Sequence, residues 1–296
     1  MKSAFLRCFI LVAVCFTILL SSCGENHSKN EDTQTVDSTK ESQPEKANNI
    51  FYSIPSPIEM AGLLRKAGAV YNLKYLNDVE NIGKYTTSAN QAINLGVYGT
   101  DMSFASIFDQ AQETMLYLKC VNKLSKELGI SNAFDDGTAS RMEANSGNRD
   151  SILQIIADAY WVADSHLKNE NRAGISALII AGGWVEGLYI ATKVAETTNN
   201  NEIKTRIGEQ KLSLNNVLSL LESYPADDNL NLVIEDLKSL RTLFDEIKIN
   251  QSKHTIKTDA ANKISTISGE TVVEINDEQL KKITNKIETI RNNLIK

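Results

Sequence analysis

The chain has 296 residues, 42% of them apolar and 23% charged, with a formal net charge of -6 at pH 7. That acidic balance argues against a general nucleic-acid binder, which needs a basic face. With only four prolines and mostly helix-compatible segments, the composition points away from a β-rich or collagenous fold, and the length suits one large domain or two small ones.

Residues 1–22 set Lys2 and Arg7 ahead of an apolar run from Cys8 to Leu20, followed by Ser21-Ser22-Cys23. A charged start, a short apolar core and a small-residue cleavage site make a secretory signal. The tetrapeptide Leu20-Ser21-Ser22-Cys23 resembles the lipobox of bacterial lipoproteins. That resemblance implies cleavage before Cys23 and acylation of its thiol and new amine with chains such as palmitate. More than one chain gives stable membrane residence. Losing Lys2 and Arg7 moves the net charge from -6 to -8. Gly24 stands where many inner-membrane lipoproteins carry aspartate, so the expected address is the cell envelope at the outer membrane. Residues 23–49 then form a polar tract with no apolar side chain larger than Val36. Such a tract buries too little surface to offset its ordering entropy and reads as a tether.

Residues 50–296 read as a single all-α domain, an antiparallel multi-helix bundle around a buried central helix at about 172–196. Its first helix is signalled by Ser56 as cap, Pro57 and Glu59 in the first turn, and runs to about Tyr71. Asn77 to Gly83 reads as a break, and Thr87 to Leu95 as a short helix. Gly96 and Gly99 then punctuate the chain, with Asp101 or Ser103 capping a long helix that reaches Leu128 and stops at Gly129. Residues 130–148 are the least regular, with one helical turn at most. A helix to Asn169, the central helix, and helices over 201–223 and 229–249 follow. The last two break at Tyr224-Pro225. Leu230, Val233, Leu237, Leu240, Phe244 and Ile247 trace a bundle seam. So do Leu280, Ile283, Ile287, Ile290 and Leu294, in a final helix capped at Asn276 or Asp277. Between them, 255–268 reads as helical and Glu270 to Ile275 as extended.

The central segment Arg172–Glu196 is apolar on every side, the mark of a helix buried in a larger protein or a membrane. Glu186 and Lys193 interrupt it, and the uncharged run before Glu186 is short of the ~20 residues a span needs. Gly183, Gly187, Ala191 and Ala195 form a ribbon that would admit another helix closely. Ile54-Pro55-Ser56-Pro57, Asn94–Asp101 and Ala181–Tyr189 together resemble a family of helical lipoproteins of Bacteroidetes. The resemblance covers most of 50–296 and implies fold and location, but no activity and no site residue.

Chemistry-bearing patterns are sparse. The three histidines, His27, His166 and His254, lack the paired spacing of a zinc site. Asn132 to Glu143 matches a calcium loop at Gly137 and Glu143 but has Phe134 where an oxygen ligand is needed. No metal and no cofactor are therefore expected. Cys120 reads as a small core residue, and no nucleophile with its base is visible, so no catalytic residue is assigned. Glu186 requires explanation, because a buried carboxylate is costly unless paired. One reading pairs it with Arg172 or Arg141. A second lets it line a ligand cleft with Trp184, Tyr189 or Tyr98, and a third exposes it to solvent through a groove. Two functions follow: a non-enzymatic, membrane-anchored helical module for an envelope partner or assembly, or a small-molecule binder with a cleft near Glu186.

Overall fold

The computed structural model describes residues 54–198, 200–225, 228–251, 255–259, 264–268 and 271–296. The signal and tether expected at 1–49 lie outside the described residues. Helix α1 spans Pro57–Lys66 and opens on a capping box: Ser56 Oγ accepts from the Glu59 amide at 3.3 Å, and Glu59 accepts from the Ser56 amide at 2.7 Å. It ends five residues sooner than expected, where Gly68 turns to a φ of 86°. Two short 3-10 turns, Leu73–Tyr75 and Val79–Lys84, are capped by Asn72 and Asp78.

Helix α2 then runs unbroken over Ser88–Ile107. The expected punctuation at Gly96 and Gly99 does not occur, and Asp101 and Ser103 are buried inside the helix rather than capping one. Glycine in a helix interior costs about 1 kcal/mol relative to alanine, but packing reverses the balance here. A Cβ on Gly96 would lie 1.9 Å from the Ile179 carbonyl oxygen, and one on Gly99 would lie 1.2 Å from the Tyr160 hydroxyl. The chain breaks instead at Asp109, which adopts φ 61°. Helix α3, Ala111–Glu127, follows and closes at Gly129, whose φ is 75°; the Ile130 amide returns to Ser125 O at 2.9 Å. In the stretch expected to be irregular, α4 forms over Asp136–Ala144 because Asp135 accepts from the Thr138 amide at 2.8 Å.

Helices α5 (Arg149–Asn169), α6 (Ala173–Thr198), α7 (Asn201–Glu222) and α8 (Asp228–Asp245) follow with short connections. Strands β1 (Lys248–Gln251) and β4 (Thr271–Glu274) pair antiparallel, as do β2 (Thr255–Asp259) and β3 (Ile264–Ser268). Where a helix was expected over 255–268, residues 255–259 and 264–268 therefore form paired strands. Their Thr255-Ile256 and Ile264-Ser265-Thr266-Ile267 stretches are rich in β-branched residues, which favour a pleated surface over a helix. Helix α9, Asp277–Leu294, starts from a second capping box at Asn276.

The fold is an all-α bundle centred on α6. Its length and apolar character would suffice for a bilayer span, yet 78% of its most apolar window is buried inside the protein. Sequence neighbours pack antiparallel. Glu222 meets Lys238 across α7 and α8, while Trp184 reaches Ser213 across α6 and α7. On the remaining side α9 runs against α6, with Lys193 on Glu288 and Glu186 on Arg291. The most extensive contact joins α2 to α6. It is backbone on backbone: a Cβ on Gly182 would stand 2.0 Å from Ile93 O. The Gly183-to-Ala195 ribbon does not describe this seam well. Gly183 touches it through its amide nitrogen, but a Cβ on Gly187 would sit at an ordinary 3.5 Å from Met60. The close approach needs Gly182, one position off the ribbon.

Candidate functional site

Glu186 is wholly buried near the middle of α6. Its carboxylate is clasped by Arg291 of α9, 105 residues away: Nε donates to one oxygen and an Nη to the other, both at 2.9 Å. This bidentate fork is the strong form of the interaction. The donors expected from sequence were wrong. Arg172 pairs with Glu170 at 3.2 Å, and Arg141 is exposed on α4. A helix that turns its whole surface inward takes its counter-charge from whichever element covers it, which is α9.

Tyr189 completes this clasp, its ring centroid 4.7 Å from the Arg291 guanidinium carbon. That is cation–π geometry, worth more when desolvated. Burial alone would pull Arg291 down, but the adjacent Glu186 charge more than reverses this and leaves it above its ordinary value. Tyr98 is also buried but does not join Glu186. Its hydroxyl donates to Asp78 O at 2.8 Å, and its ring packs against Tyr85 and Tyr117, each 6.1 Å away. Burial raises the Tyr98 phenol well above its usual range.

The structure adds a second carboxyl. Asp101 of α2 is fully buried; its Oδ2 accepts from the Asn77 amide at 3.1 Å, and its Oδ1 has no donor. Burial and then the Glu186 charge hold Asp101 well above the carboxylate range, against the opposing pull of Arg291. A proton on Asp101 resolves both facts, since a protonated carboxyl donates to Glu186 and one guanidinium need balance only one negative charge. Like carboxyls that share a site behave this way. Asn77 widens the network, donating to the Tyr85 hydroxyl at 3.0 Å and accepting from that of Tyr117 at 3.2 Å. The C-terminal turn seals it: Asn94 donates to Leu294 O at 2.9 Å and Tyr85 to Ile295 O at 3.3 Å.

Asp101 and Arg291 were missed in sequence for related reasons. Arg291 lies four residues after the seam residue Ile287, and a charge at seam spacing was the available signal. Asp101 was read as a helix cap because the two glycines before it suggested a break. Cys120, near this centre, has its thiol pushed up to about 12 by burial and then by Asp101, which leaves it protonated and inert. Among the described residues, no three His, Cys, Asp or Glu side chains group to hold a metal. His166 instead faces Glu170 at 3.2 Å.

Open space lies elsewhere. A groove of about 580 Å³ runs between α3 and α4, its walls including Lys119, Lys123, Asp136 and Glu143. These side chains are exposed, and charge pairs in water contribute little. A smaller, apolar cavity of about 220 Å³ lies on the Trp184 side of α6, against Ile54–Ile58 and α5. Glu186, Tyr189 and Tyr98 line neither space. No family model, no curated protein and no solved structure matches this chain.

Proposed function

We propose that this chain is a lipid-anchored, non-enzymatic helical binding module of a bacterial cell envelope, held at the outer membrane through acylated Cys23. The anchor rests on the Leu20-Ser21-Ser22-Cys23 sequence after its short apolar run. The observation that carries the non-enzymatic reading is the closure of the Asp101 and Glu186 carboxyls. Adjacent carboxyls with separated protonation are a common acid–base device. Here both are buried, one is clasped on both oxygens by Arg291, and neither lines the groove or the apolar cavity described above. A substrate would have to break a buried ion pair to reach them. The same closure removes the support for a ligand cleft at Glu186. An envelope protein or a small molecule remains the partner class, and the acidic net charge disfavours nucleic acid.

Mass spectrometry of membrane-extracted protein, with cell fractionation, tests the anchor. Wild type should carry acyl chains on Cys23 and sediment with membranes. Cys23→Ser should move to the soluble fraction with an unchanged Tm. An unacylated, soluble wild type overturns the assignment.

A further inference from the structure

The apolar cavity beside Trp184 is the feature that the buried ion-pair network leaves unexplained. Its wall is built from the chain entering the domain (Ile54 and Ile58), from α5 (Tyr160 and Trp161) and from α6 (Ile180 and Trp184). Several of these groups are fixed by other contacts. Trp184 Nε1 donates to Ser213 Oγ at 2.9 Å, and the Tyr160 ring stands edge-on to Phe134 at 5.3 Å. The wall is therefore preformed, which lowers the ordering cost of binding.

The chemistry of the wall defines what can enter. Among the described residues no charged side chain lines the cavity, so an inserted charge would be stranded without a counter-ion. Two of the polar groups are engaged elsewhere: Ser56 Oγ accepts from the Glu59 amide and Trp184 donates to Ser213. The Tyr160 hydroxyl, set against Gly99, is buried without a hydrogen-bond partner. A single hydroxyl falls short of the two to four polar partners that a water needs to stay in such a space. The volume, about 220 Å³, lies between the roughly 150 Å³ that accepts a benzene and the roughly 300 Å³ at which drug-sized pockets begin. At the rim Trp161 is 62% exposed, a large aromatic surface left in water beside an apolar opening.

We propose that this cavity binds one small uncharged apolar group of roughly eight non-hydrogen atoms, a ring with a short substituent or the end of a hydrocarbon chain. The proposal rests on the binding-module reading and gives that module's ligand a chemical class. Trp161 forms the lip, and Trp184 with Ile180 forms the inner wall. A free aromatic molecule and the tail of an amphiphile share this chemistry, and two probes separate them.

The chain has two tryptophans, and both line this cavity, so intrinsic fluorescence reports on it directly. The full chain is titrated with ethylbenzene as the ring probe and 1-octanol as the chain probe, with Tm followed in parallel. Saturable change in tryptophan emission with a rise in Tm is expected for at least one probe, and the probe that saturates identifies the source. Ala157, an exposed residue of the same wall, tests the location. Ala157→Phe should weaken binding at least tenfold and leave the ligand-free Tm unchanged, while Ala157→Ser should bind as wild type. If Ala157→Phe lowers the ligand-free Tm, Ile180→Phe takes its place. Non-saturating change with both probes, or saturation indifferent to the blocking substitution, overturns the proposal. Acylation of Cys23 is read in a separate assay, so failure here does not pass for failure of the anchor.

Discussion

On the side of α6 that carries Gly182 and Glu186, the protein leaves no room: backbone meets backbone at Ile93, and a guanidinium takes both carboxylate oxygens. On the side that carries Ile180 and Trp184, the same helix borders an apolar cavity of about 220 Å³. The closed side contains carboxyl and guanidinium groups, and among the described residues the open side is lined by none of these. Charge in a low-dielectric interior is tolerated only when every lone pair and proton is met, and that requires close, fixed packing. An apolar wall has no such requirement, so space can remain there at the cost of lost dispersion contacts. The contrast teaches that the conspicuous Glu186 holds the domain together, while the chemically plain face is where a ligand would fit.

The largest expected effect comes from opening the closed side. Arg291→Met leaves Glu186 buried without its partner and should cost about 3–5 kcal/mol in urea unfolding. Adding Glu186→Leu removes the stranded charge and should recover most of that loss, because apolar replacement of a buried pair is often neutral. A single variant as stable as wild type would refute the structural role of the clasp.

The helix crossing comes next. Gly182→Ala places a methyl group against the Ile93 backbone, which cannot swing aside as a side chain could. The expected loss is about 3 kcal/mol, at the upper end for overpacking. Gly187→Ala, with ordinary contacts to Met60 and Thr100, should change stability by less than about 1 kcal/mol, upward where helix propensity decides. Equal effects at the two glycines would show that the crossing is looser than the structure places it.

Asp101→Asn should have the smallest effect and the most informative one. The amide keeps the shape, can still accept from Asn77, and offers Glu186 an N–H in place of the acid proton. The folded pKa of Asp101 is raised, so the folded protein holds a proton that the unfolded chain releases near pH 4. The contribution of Asp101 to stability therefore falls as pH rises from there toward the folded pKa, and above it the loss is complete. Asparagine has no such slope. Urea midpoints at about pH 5 and about pH 9 should therefore show the variant gaining on wild type as pH rises. A variant whose midpoint stays parallel to wild type between the two pH values would mean that Asp101 is ionised in the folded protein.

Much of the architecture was legible in the pattern of residues. Apolar positions around the whole of Arg172–Glu196 required a buried helix. The spacing from Leu230 to Ile247 and from Leu280 to Leu294 defined two seams, buried throughout except at the half-buried Leu294. Ser56, Asn276 and Gly129 marked ends that the structure retains. These signals are local, since caps and periodicity act within a few residues and can be read in one dimension. Glu186 was legible only as a group in need of a partner. That the partner is Arg291, that Asp101 completes the pair, and that Gly96 and Gly99 continue a helix were decided by contacts between distant segments. So was the placement of an apolar cavity beside Trp184 that Glu186 does not line. A buried charge states its requirement in its own residue type, but which group meets it depends on which helix covers that face, and only the packed bundle decides that.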